Sequence, residues 1–446
     1  MRRGRRALFS ILLLWGLTTA GAAARGSDDP SRPASPYVHG EVLVHYAGQP
    51  GERELELPAG IGVREAVRSL RRAPSVVYAN PNYRVEAAAC AGPDDPGSAG
   101  VCGGWRGDQW NFLRGTPGGI DASGAWQHLR HMNRSGGRGV VVAVPDTGIA
   151  YRRSGDRFPR DPDLPGTGRF VSPKDYIDGD RLPLDKDGHG THVASTIAQR
   201  TGNGLGLTGL AYGVRLMPIR ILNRNEKGTA ADVARGISFA TRHGADVINL
   251  SLEFGPSVTS CNQIDGVCKA LQQAAGHAVT VVAAAGNGDG PRIAYPAAVP
   301  DVLAVGATTI RGCLADYSDY GPRMNLVAPG GGADTTLDTG EQGCARKLGP
   351  DIRQYSLRSG AAAAGDFGRF GIVGLEGTSM SAAHVSAAAA LVIASGVAGA
   401  DPAPQAVRRR LACTATDRGV ASWDRFYGWG LLNAGRATDP TVACSG

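Results

Sequence analysis

The strongest constraint on this chain is a series of short, continuously apolar runs between residues 140 and 330, separated by helix-length stretches. The runs are VVVAV (140–144), VRLMPIRIL (214–222), ADVINLSL (245–252), AVTVVAAAGN (278–287), DVLAVGATT (301–309) and MNLVAPG (324–330). Between them lie segments such as TAADVARGISFATRHG (229–244) and the stretch ending at Gly276. Strands that are apolar at successive positions are buried on both faces, and helices between them imply a parallel sheet covered on both sides. The expected fold is therefore α/β, a doubly wound parallel sheet flanked by helices. Such sheets form their sites beyond the carboxyl ends of the strands. Asp146, Ser251 and Asn287 all stand at such ends.

Ahead of a further Ala-rich helix, VSAAAALVIAS (385–395), comes the small-residue turn GTSMSAAH (377–384). Gly377 allows close backbone approach, and a helix N-terminus offers free N–H groups and positive potential to a developing oxyanion. Ser379 is thus placed as a nucleophile would be, although a serine there also serves as an ordinary N-cap. Upstream, the run VVVAVPDTGIA (140–150) carries Asp146 at its end, and DGHGTHVASTIA (187–198) sets His189 between glycines at a second helix start. A hydroxyl, a base for its proton and a carboxylate to orient that base are the three parts of Ser–His–Asp catalysis. Each also has a plain alternative: Asp146 as a strand-end turn carboxylate, Asn287 as a turn residue between Gly286 and Gly288, and His192 as a rival to His189.

The blocks DTGI, HGTHVA and GTSM, joined by VVAAAGN (281–287), resemble the active-site segments of the subtilisin-like serine proteases (subtilase family, peptidase S8). They occur in the family's order, and the likeness extends from about Asp108 to Ala434. The resemblance implies that Asp146 orients His189, that His189 is the base, and that Ser379 is the nucleophile. His192 becomes a packed, hydrogen-bonded residue. Asn287 completes the oxyanion hole with its amide. Ser251, Leu252 and Glu253 resemble the segment that pairs with extended substrate, and Gly286, with Ala284 and Ala285, the opposite wall of the primary pocket. No cofactor is required for the chemistry. Structural calcium is a family habit, with Asp163 and the loop TGNGLGLTG (201–209) in the matching region, but carbonyl ligands leave no sequence signature and no metal residue is assigned.

The chain departs from the family pattern in three places. Glu253 and Phe254 replace two glycines, so the pocket is either narrowed or tuned to a basic residue; the small residues Ala87 to Ala89 at the expected processing site lean toward narrowing. Pro145 precedes Asp146 and removes a ladder donor. Ala383 stands where a proline is usual.

The 446 residues carry a formal charge of +7, from scattered arginines rather than a basic stripe interleaved with aromatics, so nucleic acid is not an expected partner. MRRGRRALFSILLLWGLTTAGAAA (1–24) has the basic, apolar and small-residue regions of a secretory signal, its apolar run short for a membrane span, with an uncleaved anchor as the plain alternative. Residues 25–36 read as a polar linker. Residues 37–89 hold a strand, a helix with Val63, Ala66, Val67 and Leu70 on one face, and another strand, resembling the family's propeptide, which would act as intramolecular inhibitor and folding aid. Residues 90–446 read as the peptidase domain, with 331–366 as an extended surface loop. Export makes the eight cysteines a disulfide question, since no CxxC or Cys/His cluster occurs. Nearest-neighbour pairing (Cys90–Cys102, Cys261–Cys268, Cys313–Cys344, Cys413–Cys444) closes four local loops. The expected protein is a secreted monomeric serine endopeptidase, extracellular or periplasmic, acting on protein or peptide substrates and autoprocessed from a prepro-precursor. The alternative is a secreted, catalytically impaired protein of the same fold that binds peptides.

Overall fold

The computed structural model of the protein describes residues 37–83 and 92–444. The expected leader, linker, processing region at Ala87–Ala89 and Cys90 lie outside these residues. The chain divides into two compact units, Met1–Ala89 and Cys90–Gly446.

In the smaller unit, β1 (Tyr37–Tyr46) pairs antiparallel with β2 (Arg53–Glu56) on one side and β3 (Val76–Tyr83) on the other. The helix α1 (Val63–Leu70) buries Val63, Ala66 and Val67 against Val42, Val44 and Ala79. The spacing of Val42 and Val44 is the period of two that turns alternate side chains to one face. The short β2, RELE, escaped sequence reading because it has one apolar residue, Leu55, among charges, a composition suited to an edge strand.

The larger unit begins with α2 (Trp105–Asp108) and α3 (Ala122–His131), followed by β4 (Val141–Asp146), β5 (Lys174–Asp175) and α4 (His189–Ala198). Next come β6 (Arg215–Arg220), α5 (Ala230–Arg242), β7 (Val247–Leu250), α6 (Asp265–Gly276), β8 (Thr280–Ala284), β9 (Val302–Thr308) and β10 (Leu326–Pro329). The chain closes with β11 (Ile352–Leu357), α7 (Ser359–Ala363), β12 (Phe370–Leu375), α8 (Thr378–Ser395), α9 (Pro404–Thr414) and α10 (Ala434–Thr438). Seven strands form one parallel sheet in the order β10-β9-β8-β7-β4-β6-β5. Alternate residues serve opposite cores: Val142 and Val144 face the layer that contains α8, while Val141 and Ala143 face α5 and α6. The expectation of a doubly wound sheet is met. Its strand order reverses at β4, which opens a crevice at the carboxyl ends of β4 and β7. Pro145, lacking an N–H, is tolerated because the ladder to β7 covers only Val142 and Ala143, while pairing with β6 continues to Asp146.

The helix α8 is long and apolar enough to span a bilayer, but 78% of it is buried inside the protein. Its alanines from Ala382 to Ala390 are at most 1% exposed. Small side chains let its backbone lie close to the sheet, and Gly396, with φ of 73°, ends it in the left-handed conformation.

The segment 331–366 is not the extended surface loop expected from its glycines and charges. It contains β11, whose Ile352, Gln354 and Ser356 are buried, paired along its length with β12. Helix α4 binds this hairpin: Ser195 Oγ and Gln199 Nε2 both donate to the carbonyl of Tyr355. The disulfides Cys261–Cys268, Cys313–Cys344 and Cys413–Cys444 are formed, as nearest-neighbour pairing expects, and Cys102 is also disulfide-bonded.

The packing of α8 makes a prediction about stability. Ala389→Leu, made on the Ser379→Ala variant to keep proteolysis out of the measurement, will destabilise the protein by about 1–3 kcal/mol through overpacking. Urea unfolding checks this; an unchanged midpoint would mean that the helix has slack against the sheet.

Candidate active site

Two turns bring the first pair of site residues together. The side chain of Asp146, fully buried at the end of β4, accepts at Oδ1 from the backbone N–H of Thr147 (2.7 Å) and from His189 Nδ1 (2.8 Å). His189 opens α4, and its side chain is 12% exposed. Asp185 organises this helix start. Its Oδ1 accepts from the N–H groups of Asp187 and Gly188 and from Thr147 Oγ1, and its Oδ2 from the N–H of Thr191. Thr147 Oγ1 in turn accepts from the N–H of Gly190 (2.9 Å). These bonds satisfy the donors that a helix start leaves free. They also lock the turn after β4 to the one before α4. Gly190 is required there, because a Cβ would lie 2.2 Å from the carbonyl oxygen of Gly148. Burial disfavours the charged imidazole, but the adjacent Asp146 carboxylate, helped by Glu226 and Asp187, lifts His189 to about 9.

His192, the rival histidine, is fully buried and its Nε2–H is shared between the carbonyls of Ile352 (3.1 Å) and Val373 (3.3 Å). Two carbonyl acceptors fix that tautomer, and burial pushes the imidazole down to about 3. It is a packed residue, neutral at any working pH.

Ser379 is the second residue of α8. Its Oγ donates to the carbonyl of Ser251 (3.2 Å), and Ser251 Oγ donates to the carbonyl of Ser379 (2.7 Å). Behind them, Asn249 Nδ2 donates to Ser251 Oγ and Ser386 Oγ donates to Asn249 Oδ1, a buried polar chain running back into α8. Asn287 is held by its oxygen: Oδ1 accepts from Thr378 N–H (2.9 Å) and Thr378 Oγ1 (3.0 Å). A backbone donor on Oδ1 fixes the amide orientation and leaves the Nδ2 hydrogens for the cleft. Gly377 precedes them with φ of 145°, a conformation that side chains rarely adopt.

His189, Asn287 and Ser379 line one cleft of about 490 Å³, with Ser251, Leu252 and Glu253 along its wall. Gly286 lies buried behind the opposite wall, where its N–H donates to Thr378 Oγ1. Ser251 therefore contacts the Ser379 backbone as well as bordering the cleft, a role its sequence did not disclose. Asp185, Thr147, Thr378, Asn249 and Ser386 were also missed; only their proximity to the blocks DTGI, DGHG, GTSM and INLS hinted at them.

In the region matched to calcium, Asp163 accepts from Asn203 Nδ2 (2.9 Å) and from Leu207 N–H (3.1 Å), and the buried Oδ2 of Asp161 has no partner. Burial, with the charges of Asp161 and Asp95 nearby, pushes Asp163 up to about 8 against its hydrogen bonds. Among the described residues no three His, Cys, Asp or Glu side chains converge as a metal cluster, so a cation here would depend on carbonyl and amide oxygens too.

A family model, that of the subtilase family (peptidase S8), matches residues 137–430. The thermophilic serine proteinase of Bacillus sp. strain AK1 is 32% identical over 316 residues, which is 66% of this chain and 70% of that protein. Subtilisin BL of Lederbergia lenta is 33% identical over 302 residues, 68% of this chain and 91% of that one. Among solved structures, a protease from Pseudoalteromonas arctica superposes with a TM-score of 0.57 at 26% identity, covering 78% of this chain and 99% of its own. A family match across most of the unit that carries the cleft, with a relative spanned nearly end to end, leaves one conclusion: this chain belongs to the subtilase family and is a subtilisin-like serine endopeptidase.

Proposed function

We propose that Ser379, His189 and Asp146 are the catalytic triad of this peptidase and that Asn287 supplies the oxyanion donor. The observation that carries the reading is the 2.8 Å bond from His189 Nδ1 to a fully buried Asp146, on the same cleft as Ser379. That bond commits the proton to Nδ1 and leaves Nε2 as the basic nitrogen. In the free site the Ser379 hydroxyl rests on the Ser251 carbonyl. Rotation about its Cα–Cβ bond turns it to the base, and such bonds commonly tighten only when substrate binds. Ser379 Oγ then attacks the scissile carbonyl as His189 Nε2 takes its proton, and Asp146 stabilises the imidazolium. The oxyanion accepts from Asn287 Nδ2 and from the Ser379 N–H, one of the first-turn donors without an intrahelical partner. His189 returns the proton to the leaving amine, and water hydrolyses the acyl-enzyme by the reverse sequence.

The reading extends to the precursor. Residues 1–24 direct export, residues 37–89 act as intramolecular inhibitor, and the enzyme removes them itself near Ala87–Ala89. The basic-apolar-small pattern of the leader and the disulfides support a secreted protein. A structural calcium would be held by Asp163 with oxygens of the loop 201–209, and would offset buried negative charge without entering the chemistry.

Three outcomes test the mechanism. The wild type will lose the segment up to about Ala89 and hydrolyse casein, whereas Ser379→Ala will keep its precursor mass and leave casein intact. Equal processing of both would overturn self-maturation, and inert wild type would favour a peptide-binding protein of the same fold. Asn287→Ala will lower kcat by roughly 10²–10³, a magnitude measured for such a donor in subtilisin, with a much smaller change in KM. Because the base must be neutral and its folded pKa is raised, kcat/KM will rise with pH to a midpoint near 9. Asp146→Asn will move that midpoint downward; a midpoint unchanged in the variant would remove Asp146 from its role.

A further inference from the structure

The cleft wall carries a feature that the proposed mechanism does not use. Glu253 reaches across to the opposite segment, where its Oε2 accepts from the backbone N–H of Asn287 (3.1 Å). Asp319, 7% exposed, faces it from behind that segment. Its Oδ1 accepts from the N–H groups of Gly288 (3.2 Å) and Gly290 (2.7 Å), while its Oδ2 accepts from no donor among the described residues. The two carboxylates converge on Gly286: a Cβ there would lie 2.6 Å from Glu253 Oε2 and 2.1 Å from Asp319 Oδ2.

Neither carboxylate is ion-paired among the described residues. Both line a second cavity of about 460 Å³, and Glu253 and Phe254 also border the cleft of Ser379 and His189, so the two spaces meet at Glu253. Arg292 and Arg323 line the same cavity but are exposed, and neither pairs with the carboxylates. Burial, together with the charge of Glu253, pushes Asp319 up to about 6 although the amides of Gly290 and Gly288 pull the other way. Glu253 is the solvent-exposed member of the pair and Asp319 the buried one, so a cation arriving along the cleft meets an accessible carboxylate backed by a second, buried acceptor that lacks a counter-charge.

We propose that Glu253 and Asp319 form the acidic end of the primary specificity pocket and select substrates with arginine or lysine on the acyl side of the scissile bond. The inference rests on Ser379 being the nucleophile of this cleft. A guanidinium or ammonium entering past Leu252 meets Glu253 first and the Asp319 Oδ2 beyond it, and a guanidinium fork can engage two acceptors together. A small residue would leave both charges unpaired, and a large apolar one would strip their water without replacement. Glu253 therefore tunes the pocket by charge rather than narrowing it by bulk.

The test uses the secreted product of the full-length chain and peptide anilides that differ only in the residue before the bond: Arg, Lys, Leu, Ala and Glu. Arg and Lys will exceed Leu and Ala in kcat/KM by roughly tenfold or more, and Glu253→Gln and Asp319→Asn will each shrink that ratio several-fold. A preference for Leu or Ala, or an Arg and Lys preference unmoved by both substitutions, overturns the pocket assignment. Labelling by a fluorophosphonate separates this from failure of the mechanism: a wild type that labels at Ser379 yet prefers Leu sinks only the pocket, and one that does not label sinks the mechanism. Should either variant fail to fold, benzamidine decides on the wild type, with competitive inhibition supporting the acidic pocket and none overturning it.

Discussion

The close approach of α8 to the parallel sheet is the constraint on which the rest of the structure depends. A helix sheathed in alanine can lie nearer to strands than one carrying leucines, and here its N-terminus arrives at the crevice where the strand order reverses. The Ser379 hydroxyl, the backbone N–H beside it and the threonine that grips Asn287 are all fixed by that one placement. The sheet supplies the complementary half, because β4 and β7 end at the same level, with Asp146 on one and the Ser251 segment following the other. The site is thus the meeting of a helix start with strand ends, and its precision comes from the buried polar chain through Ser386, Asn249 and Ser251.

What could be read from the sequence was whatever is local. Continuous apolar runs gave the sheet, and Asp146, His189, Asn287 and Ser379 stood out because each occupies a short small-residue block whose chemistry is recognisable on its own. Asp185 did not stand out, since its effect lies in bonds to Thr147 and Thr191 that exist only after two turns have met. Asp319 was invisible for a stronger reason: it lies more than sixty residues from Glu253 in the chain, and nothing in YSDYG announces that its carboxylate faces another. The strand β11 was hidden by its glycine-rich, charged flanks; its buried Ile352, Gln354 and Ser356 follow a period of two over too few residues to outweigh them.

The departures of this chain from its family's pattern fall into two kinds. Pro145 and Ala383 are absorbed by the scaffold, the first because its ladder to β7 has already ended and the second because it is fully buried in the alanine face of α8. Glu253 is not absorbed. It places a carboxyl group on a wall where the family has glycine, and the wall answers with the Asn287 N–H and a second carboxyl group rather than with a cation. Local exceptions in a well-packed fold tend to mark what the molecule has been adapted to recognise.

The seam between α4 and the β11–β12 hairpin has a mechanical consequence. His192, Ser195 and Gln199 bind carbonyls of the hairpin, and β12 runs directly into the segment that carries Ser379. The helix that opens with His189 is therefore sewn to the strand that leads into Ser379. A displacement of the hairpin thus acts on both helix starts at once, through the carbonyl bonds of α4 on one side and through β12 on the other.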